Sequence, residues 1–244
     1  MLPKEVIIIG GGPSIQEGLS LGLKDKIKDK FVITCNASCY HFDSTLTTCM
    51  DIKFYNGRLD GIDKPIRPEH VDKLKSLPLI ISAYRDEIKE INYGNTILVR
   101  ESNIYSNNPL KNGFYAHCLT GIFSLSIVSW LINYDGVIYL MGFDWTKRTQ
   151  EEIKNKQSAT THYYEDIKHK GIGITKRYED NNPNIKFDPF LKEHKLKIYN
   201  IGLDSNIACF EKVNYEEMFE LIDKEKYNQE EIRKEIKLIM STNS

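Results

Sequence analysis

Short apolar segments alternate with longer polar or amphipathic stretches through most of this chain. Seven of these segments are four or five residues long and rich in Ile, Val, Phe and Tyr, which predicts strands. The predicted strands are 6–9, 31–35, 52–55, 79–82, 96–99, 137–140 and 197–200. Apolar strands separated by helical stretches are typical of a parallel sheet that is covered on both faces. The pattern therefore predicts an α/β fold with a mostly parallel sheet.

Two longer stretches are predicted as helices. Residues 121–132 are apolar apart from three serines, which predicts a buried helix over residues 121–133 that leads into the strand at 137–140. Residues 215–240 carry apolar side chains near their start and then become dense in charge. This second pattern predicts one helix whose charged part lies in solvent.

Composition divides the chain into an α/β unit over residues 1–212 and a charged C-terminal helix over 213–244. Within the first unit, residues 146–189 are polar, rich in lysine and poor in apolar segments. Long polar segments that follow a strand are usually functional or disordered. We therefore expect a Rossmann-like sheet with a polar lid that orders over a bound ligand.

The first strand leads directly into the glycine turn G-G-G-P-S at residues 10–14. A strand, a glycine turn and a helix together can present backbone N–H groups to a phosphate at the positive end of the helix dipole. The fingerprint of redox dinucleotide sites is not met, because Ile15 stands where its third glycine is needed and the next strand ends at Asn36 without an acid. The turn predicts a nucleotide site of another kind.

Polar residues follow several of the predicted strands. The carboxyl ends of parallel strands share one edge of the sheet, where ligands of such folds bind, and amides and hydroxyls suit ribose and base edges. The candidate binding residues are Gly10, Gly11, Gly12, Ser14, Asn36, Asn56, Thr120, Gly121 and Asp144. Structural alternatives stay open: Asn36 and Asn56 suit turns, Thr120 suits a helix N-cap, and Asp144 suits a buried structural carboxylate.

Charge and composition narrow the class of partner. The formal net charge of −1, with lysines scattered among acids, argues against a nucleic-acid partner. No apolar run approaches the ~20 residues of a membrane span.

Five cysteines without a C-x-x-C pair predict neither a disulfide framework nor a zinc site, and Cys35 and Cys118 are predicted as small buried residues. The start of the chain carries no signal-peptide pattern, so we expect a cytoplasmic protein, and the charged helix leaves open a peripheral contact with the inner membrane.

Six segments, taken in order over residues 6–210, resemble the small bacterial sialyltransferases of glycosyltransferase family 42. They are G-G-G-P-S-I, T-C-N, K-F-Y-N, L-T-G, I-Y-L-M-G-F-D and K-L-K-I-Y-N-I-G-L-D-S-N-I. The resemblance implies inverting transfer of sialic acid from a CMP-sugar to a glycan acceptor such as a lipooligosaccharide, by a homo-oligomer without a metal or other cofactor. It implies nucleotide contacts at Asn36 and Asn56, a Ser-Gly element at Thr120 and Gly121, and a strand-end acid at Asp144.

The resemblance also implies a catalytic histidine in the lid. Such a transfer needs a base for the acceptor hydroxyl and groups that stabilise the departing phosphate, and histidine titrates near neutral pH. His162 matches a His-Tyr pair of the family's lid, and His169 is the nearest histidine beyond it, so both are candidates and His162 is favoured. Tyr163, Tyr164 and Tyr178 are candidate hydroxyl donors to the phosphate. No D-x-D metal clamp occurs in the chain.

The chain departs from the family pattern around the phosphate and the sugar, which leaves the donor open. Gly11 replaces an asparagine, His117 an arginine and Thr146 a tyrosine. One alternative is a Mg²⁺-dependent enzyme using ATP, like the pterin diphosphokinases, which share the glycine turn and need converging carboxylates such as Asp51 and Asp144. A second alternative is a nucleotide-binding domain without catalytic activity.

Overall fold

The computed structural model describes residues 1–58, 65–84, 93–117, 119–145 and 183–241 of the 244-residue chain. The strands in these ranges are β1 (Glu5–Ile9), β2 (Val32–Cys35), β3 (Leu46–Cys49), β4 (Ile80–Ala83), β5 (Thr96–Val99), β6 (Glu101–Ser102), β7 (Phe114–Tyr115), β8 (Gly136–Met141), β9 (Leu196–Ile201) and β10 (Glu211–Val213). The helices are α1 (Ile15–Ser20), α2 (Leu23–Ile27), α3 (Ile52–Tyr55), α4 (Pro68–Ser76), α5 (Pro109–Asn112), α6 (Thr120–Leu131), α7 (Tyr215–Leu221) and α8 (Gln229–Ser241). Short 3-10 helices cover Asn36–Tyr40, Pro183–Phe187 and Phe190–Lys192.

Eight strands form one sheet in the order β10-β9-β8-β1-β2-β3-β4-β5. Every neighbouring pair in this sheet is parallel. Strands β6 and β7 form a separate parallel pair. The α/β class and the Rossmann-like parallel sheet predicted from the sequence are confirmed.

The order of the strands reverses beside β1, in the middle of the sheet. Strands β2 to β5 follow on one side of β1, and the chain then crosses back so that β8, β9 and β10 lie on the other side. In open α/β sheets, ligands bind outside the carboxyl ends of the strands at such a switch point. The loops after β1 and β8 therefore border the position where a ligand is expected.

Both faces of the sheet are covered, as the apolar strands predict. Along β1, Val6 and Ile8 face the helices α6 and α8, whereas Ile7 and Ile9 face α1, α2 and α7. All four side chains are almost completely buried. Since successive strand residues point to opposite faces, a strand without polar positions is what a two-sided core requires.

Helix α6 is the buried helix predicted at residues 121–133. Two of its three buried serines are bonded: Ser124 Oγ donates to Thr120 O at 2.7 Å, and Ser126 Oγ accepts the N–H of Tyr115 at 3.0 Å. These bonds satisfy hydroxyl groups that would otherwise destabilise the core. Ser129 Oγ is buried and has no hydrogen-bond partner within the described residues. The helix crosses the sheet from the switch point toward the start of β8.

The third predicted strand was wrong. Residues 52–55 form helix α3, and the strand at this place is Leu46–Cys49. Asp51 begins the helix, because its Oδ1 accepts the N–H of Lys53 at 2.9 Å. The true strand contains two threonines, which favour a strand by their branching but interrupt the apolar run on which the prediction relied. Asn56 therefore follows a helix and not a strand.

The single helix predicted over residues 215–240 was also wrong, because α7 and α8 are separated by residues 222–228. A capping box at Asn214 begins α7, and the extended backbone of Ile222 (ψ 135°) ends it. Helix α8 is not merely solvated, because one apolar side chain per turn packs into the core. These side chains are Ile232, Ile236 and Met240.

Two predictions from composition can be compared with the structure. Cys35, Cys39 and Cys49 are buried free thiols and Cys209 is partly buried, so the prediction for Cys35 is confirmed, whereas Cys118 lies outside the described residues. Burial raises the pKa of the Cys35 thiol to about 11. Within the described ranges, no helix combines the length and the apolarity that crossing a membrane requires.

Candidate nucleotide site

The glycine turn at residues 10–14 is bound to the end of β8. Gly10 N–H donates to the carbonyl of Met141 at 2.7 Å, and Gly12 N–H donates to the carbonyl of Gly142 at 2.8 Å. Ser14 N–H donates to Asp144 Oδ2 at 2.7 Å. Three of the four N–H groups of the turn are therefore used inside the protein. The prediction that these groups point to a ligand phosphate does not match this geometry.

The glycines of the turn are explained by the same contact. A Cβ atom on Gly12 would lie 2.3 Å from Asp144 Oδ2, and one on Gly10 would lie 2.7 Å from the carbonyl oxygen of Gly142. Any larger residue would push the turn away from the end of β8. Gly11, between them, is partly buried. The turn is a rigid framework held by β8.

Asp144 is the acid at the centre of this contact, and it is only 6% exposed. Burial raises the pKa of its carboxyl group, the hydrogen bonds from Ser14 oppose that shift, and the charge of Asp204 adds to it. Oδ2 accepts from Ser14, while Oδ1 is buried and has no hydrogen-bond partner within the described residues. The carboxylate thus takes the place at the turn that a phosphate would take.

A glycine also follows β9, beside the turn. Gly202 has φ 120°, and a Cβ atom there would lie 3.1 Å from Ser14 Cβ and 3.7 Å from Asp144 Oδ1. The three adjacent strands β9, β8 and β1 are thus each followed by a glycine: Gly202, Gly142 and Gly10. Gly202 was not predicted as a site residue, although its position after an apolar strand repeats that of Gly10.

The loop between β9 and β10 holds Asp144 from the other side. Asn200 Nδ2 donates to Ser205 Oγ at 2.7 Å, and that hydroxyl donates to the carbonyl of Phe143 at 2.7 Å. Asn206 N–H donates to the carbonyl of Asp144 at 2.8 Å. None of the three polar residues was predicted as a site residue, although all lie in the N-I-G-L-D-S-N segment. Through these bonds they hold the backbone at Phe143 and Asp144 in place.

Asn36 joins the end of β2 to the start of α6. Its backbone is left-handed (φ 47°), and its Nδ2 donates to Thr120 Oγ1 at 3.0 Å. Its Oδ1 is buried and has no hydrogen-bond partner in the described part of the chain. Ser38 Oγ, just after the end of the same strand, donates to the carbonyl of Gly10 at 2.6 Å and connects this segment to the glycine turn.

Helix α6 begins next to Asn36 with an open first turn. Its N-cap residue is Leu119, so the interpretation of Thr120 as the N-cap was wrong, and within the described part of the chain no side-chain hydrogen bond caps the helix. The first turn carries no acidic residue. Gly121 is required by packing, because a Cβ atom there would lie 2.5 Å from the ring of Phe143. The positive end of this 12-residue helix therefore adjoins the switch point.

Asn56, His117 and Asp51 lie at the margins of this cluster. Asn56 is buried at the end of α3 and His117 is exposed in a left-handed conformation (φ 46°). Asp51 is exposed, and the strands that precede Asp51 and Asp144, β3 and β8, are three strand spacings apart, about 14 Å. This separation does not favour one Mg²⁺ bound by both carboxylates. Over the described ranges, no three His, Cys, Asp or Glu side chains form a group that could hold a metal.

The remaining predicted site residues lie outside the described residues. They are His162, His169, Tyr163, Tyr164, Tyr178 and Thr146. The roles predicted for them, and the lid to which they belong, stay predictions.

Comparisons with models of protein families, with curated proteins and with solved structures found no match.

Proposed function

We propose that this chain is a glycosyltransferase that binds the nucleotide of a CMP-sugar at the carboxyl edge of its sheet and transfers the sugar to a glycan acceptor. One observation carries the proposal. Ser14, Asn36, Thr120 and Asp144 come from four separate segments and meet at the switch point, through the bonds from Ser14 to Asp144 and from Asn36 to Thr120. This is the position where parallel α/β sheets bind their ligands.

The polar atoms at the switch point favour a nucleoside. Asn36 Oδ1 and Asp144 Oδ1 are buried without a hydrogen-bond partner within the described ranges. A buried polar atom left in this state costs about 1–3 kcal/mol. The amide oxygen and the carboxylate oxygen accept hydrogen bonds only, so they suit ribose hydroxyls or the exocyclic amine of cytosine.

The charges favour one orientation of the donor. A phosphate at the glycine turn would be repelled by the carboxylate of Asp144, which already binds the N–H of Ser14. The first turn of α6, beside Asn36 and Thr120, carries no acid and presents the positive end of its dipole. We therefore place the nucleoside toward the turn and the phosphate toward α6.

The chemistry of transfer requires one proton acceptor. The acceptor hydroxyl attacks the anomeric carbon, the bond from that carbon to the phosphate oxygen breaks, and CMP leaves with the bonding electrons. The base that takes the hydroxyl proton is expected to be His162 or His169, on the strength of the resemblance alone. The described residues supply the binding of the nucleotide in this scheme.

Substitution of Asn36 tests the site. Asn36→Gly keeps the left-handed backbone (φ 47°) and removes the amide, so CMP binding measured by calorimetry should weaken about tenfold. Asn133→Gly is the matched control, because Asn133 is also left-handed (φ 56°) but is exposed. Equal CMP affinity of the two variants would contradict the proposed site.

A ligand and activity panel tests the class of enzyme. We expect CMP to bind without Mg²⁺, and CMP to be released from CMP-sialic acid when a lipooligosaccharide acceptor is added. Binding of ATP that requires Mg²⁺, without binding of CMP, would contradict the proposal and favour a diphosphokinase. Binding of CMP without any turnover of CMP-sugars would contradict the catalytic part and indicate a nucleotide-binding domain.

A further inference from the structure

A cavity of about 350 Å³ opens at the amino edge of the sheet, opposite the candidate nucleotide site. It lies where Lys30, Thr45 and Pro78 precede β2, β3 and β4, and helices α4 and α8 border it through Lys73 and Arg233. We call it the amino-edge cavity. The four-residue strands between the two sites are about 13 Å long. A ligand in this cavity would therefore be separate from the nucleotide.

The amino-edge cavity is cationic. Of its four cations, Lys30 is paired with Asp223 at 2.5 Å, whereas Lys28, Lys73 and Arg233 have no ion pair within the described residues. Among the described residues, Asp43 is the one carboxylate in its lining. With the Lys30 pair counted as neutral, three described cations face one acid, and these side chains carry a net charge of +2. Such a concentration of charge attracts anions.

The base of the cavity is held by hydrogen bonds. Thr45 Oγ1 donates to Gln229 Oε1 at 2.6 Å, and Gln229 Nε2 donates to the carbonyl of Lys30 at 3.0 Å. These bonds fix the start of α8 against the sheet. The apolar part of the lining includes Phe42 and Leu77, which are 5% and 7% exposed. A fixed cavity with a charged and an apolar part suits an organic anion better than a simple ion.

We propose that the amino-edge cavity binds a phosphate ester. The phosphate would pair with Lys28, Lys73 and Arg233, since a guanidinium group binds phosphate oxygens through two parallel hydrogen bonds. The organic group would contact Phe42 and Leu77. The volume of the cavity lies within the range of small-molecule sites. This proposal does not depend on the function proposed for the carboxyl edge.

The test uses calorimetry with phenyl phosphate on the full chain. The variant carrying Lys73→Gln and Arg233→Gln should bind phenyl phosphate at least about tenfold more weakly than the unmodified protein. The matched control carries Lys75→Gln and Lys237→Gln, which make the same charge change at exposed positions on the same helices, α4 and α8. Urea denaturation of both variants establishes that each is folded. An equal loss in the two variants would overturn the proposal.

Two further measurements separate this site from other sources of phosphate binding. Asn36→Gly should leave phenyl phosphate affinity unchanged, and a loss there would place the phosphate at the candidate nucleotide site and overturn the proposal. Vesicles of phosphatidylcholine with phosphatidic acid test a lipid headgroup. Binding of these vesicles that disappears in the Lys73 and Arg233 variant, without binding of phenyl phosphate, would support a lipid as the phosphate ester. Absence of binding to both probes would overturn the proposal.

Discussion

The two edges of the eight-stranded sheet use polar groups in opposite ways. At the carboxyl edge, glycines follow three adjacent strands, and Asn36 Oδ1 and Asp144 Oδ1 are buried without a hydrogen-bond partner within the described residues. At the amino edge, the buried ammonium of Lys30 is bound by Asp223 and by two backbone carbonyls. A group whose partners are complete stabilises the fold, whereas incomplete groups gathered at a switch point indicate a ligand.

Two acids make the same contrast in their titration. Burial raises the pKa of Asp144, and the hydrogen bonds from Ser14 compensate only in part. Burial also acts on Asp223, but the hydrogen bonds from Lys30 and Tyr227 and the charge of Lys30 outweigh it, so the pKa of Asp223 is lowered. Compared with an acid in water, ionisation is therefore less favourable for Asp144 at the carboxyl edge and more favourable for Asp223 at the amino edge.

The largest expected effect is on stability at the amino edge. Lys30→Met removes an 8%-exposed ammonium and leaves Asp223 without its cation, which should cost about 3 kcal/mol in the free energy of unfolding measured with urea. The exposed pair of Lys226 with Asp29 is the control, and Lys226→Met should cost only about 0–1 kcal/mol. CMP affinity should not change in either variant. A similar loss of unfolding free energy in both variants would contradict the prediction that the buried ion pair of Lys30 stabilises the fold more than an exposed pair does.

The next effect separates stability from binding at the two edges. Gly12→Ala would place a Cβ atom 2.3 Å from Asp144 Oδ2, and Gly136→Ala would place one 2.1 Å from the carbonyl oxygen of Lys4. Both should lower the free energy of unfolding by about 1–3 kcal/mol. Only Gly12→Ala should also abolish CMP binding, because Gly136 lies at the start of β8. Calorimetry on the folded variants checks this, and loss of CMP binding in Gly136→Ala would contradict the separation of the edges.

A smaller effect is expected beside the unpartnered atoms. Gly202→Ala places a methyl group 3.1 Å from Ser14 Cβ and should weaken CMP binding about tenfold. Its control is Gly22→Ala, where the backbone is also left-handed (φ 80°) but no atom lies within 4 Å of the added Cβ. Both substitutions should cost about 1–2 kcal/mol in stability through backbone strain. Equal CMP affinities would show that Gly202 does not border the nucleotide.

The smallest effect is a difference in pH dependence. Because the pKa of Asp144 is raised in the folded protein, its contribution to stability falls as pH rises from 3.8 through the folded pKa. Asp144→Asn removes this titration, so the variant should gain stability relative to the unmodified protein over the same pH range. The lowered pKa of Asp223 means that its contribution is complete above pH 3.8 and is lost as pH falls through its folded pKa. The loss of unfolding free energy caused by Asp223→Asn, relative to the unmodified protein, should therefore become smaller in acid. Urea denaturation between about pH 2 and 7 checks both slopes, and slopes of the same sign would contradict them.

The apolar pattern predicted most of the sheet. Strands β1, β2, β4, β5, β8 and β9 lie within one residue of their predicted bounds at each end, since strands buried on both faces need continuous apolar runs. Strand β3 was missed because its buried Thr47 and Thr48 bond to other polar groups, namely Thr34 and Ser124. The apolar face of α8 was not predicted, because most residues between its three buried side chains are charged.

The candidate site was predicted only in part. Ser14, Asn36 and Asp144 were predicted as candidates because strand ends are local features of the sequence, and Thr120 because it stands at the start of the long helix. The contacts between them were not, because Ser14 and Asp144 are 130 positions apart and meet only when β8 lies beside β1. Gly202 and Ser205 were not predicted as site residues, because their contacts with Ser14 and Phe143 also join segments that are far apart in the sequence.

The sequence by itself determined six strands of the sheet, the α/β class and the polar residues that follow several of those strands, because these depend on side chains a few positions apart. The tertiary structure decided that β8 lies next to β1, that Asp144 binds the glycine turn where a phosphate was expected, and that cations gather at the opposite edge. Those outcomes depend on the order of strands in the sheet. That order is set by how the two faces of the core pack, which no local pattern specifies.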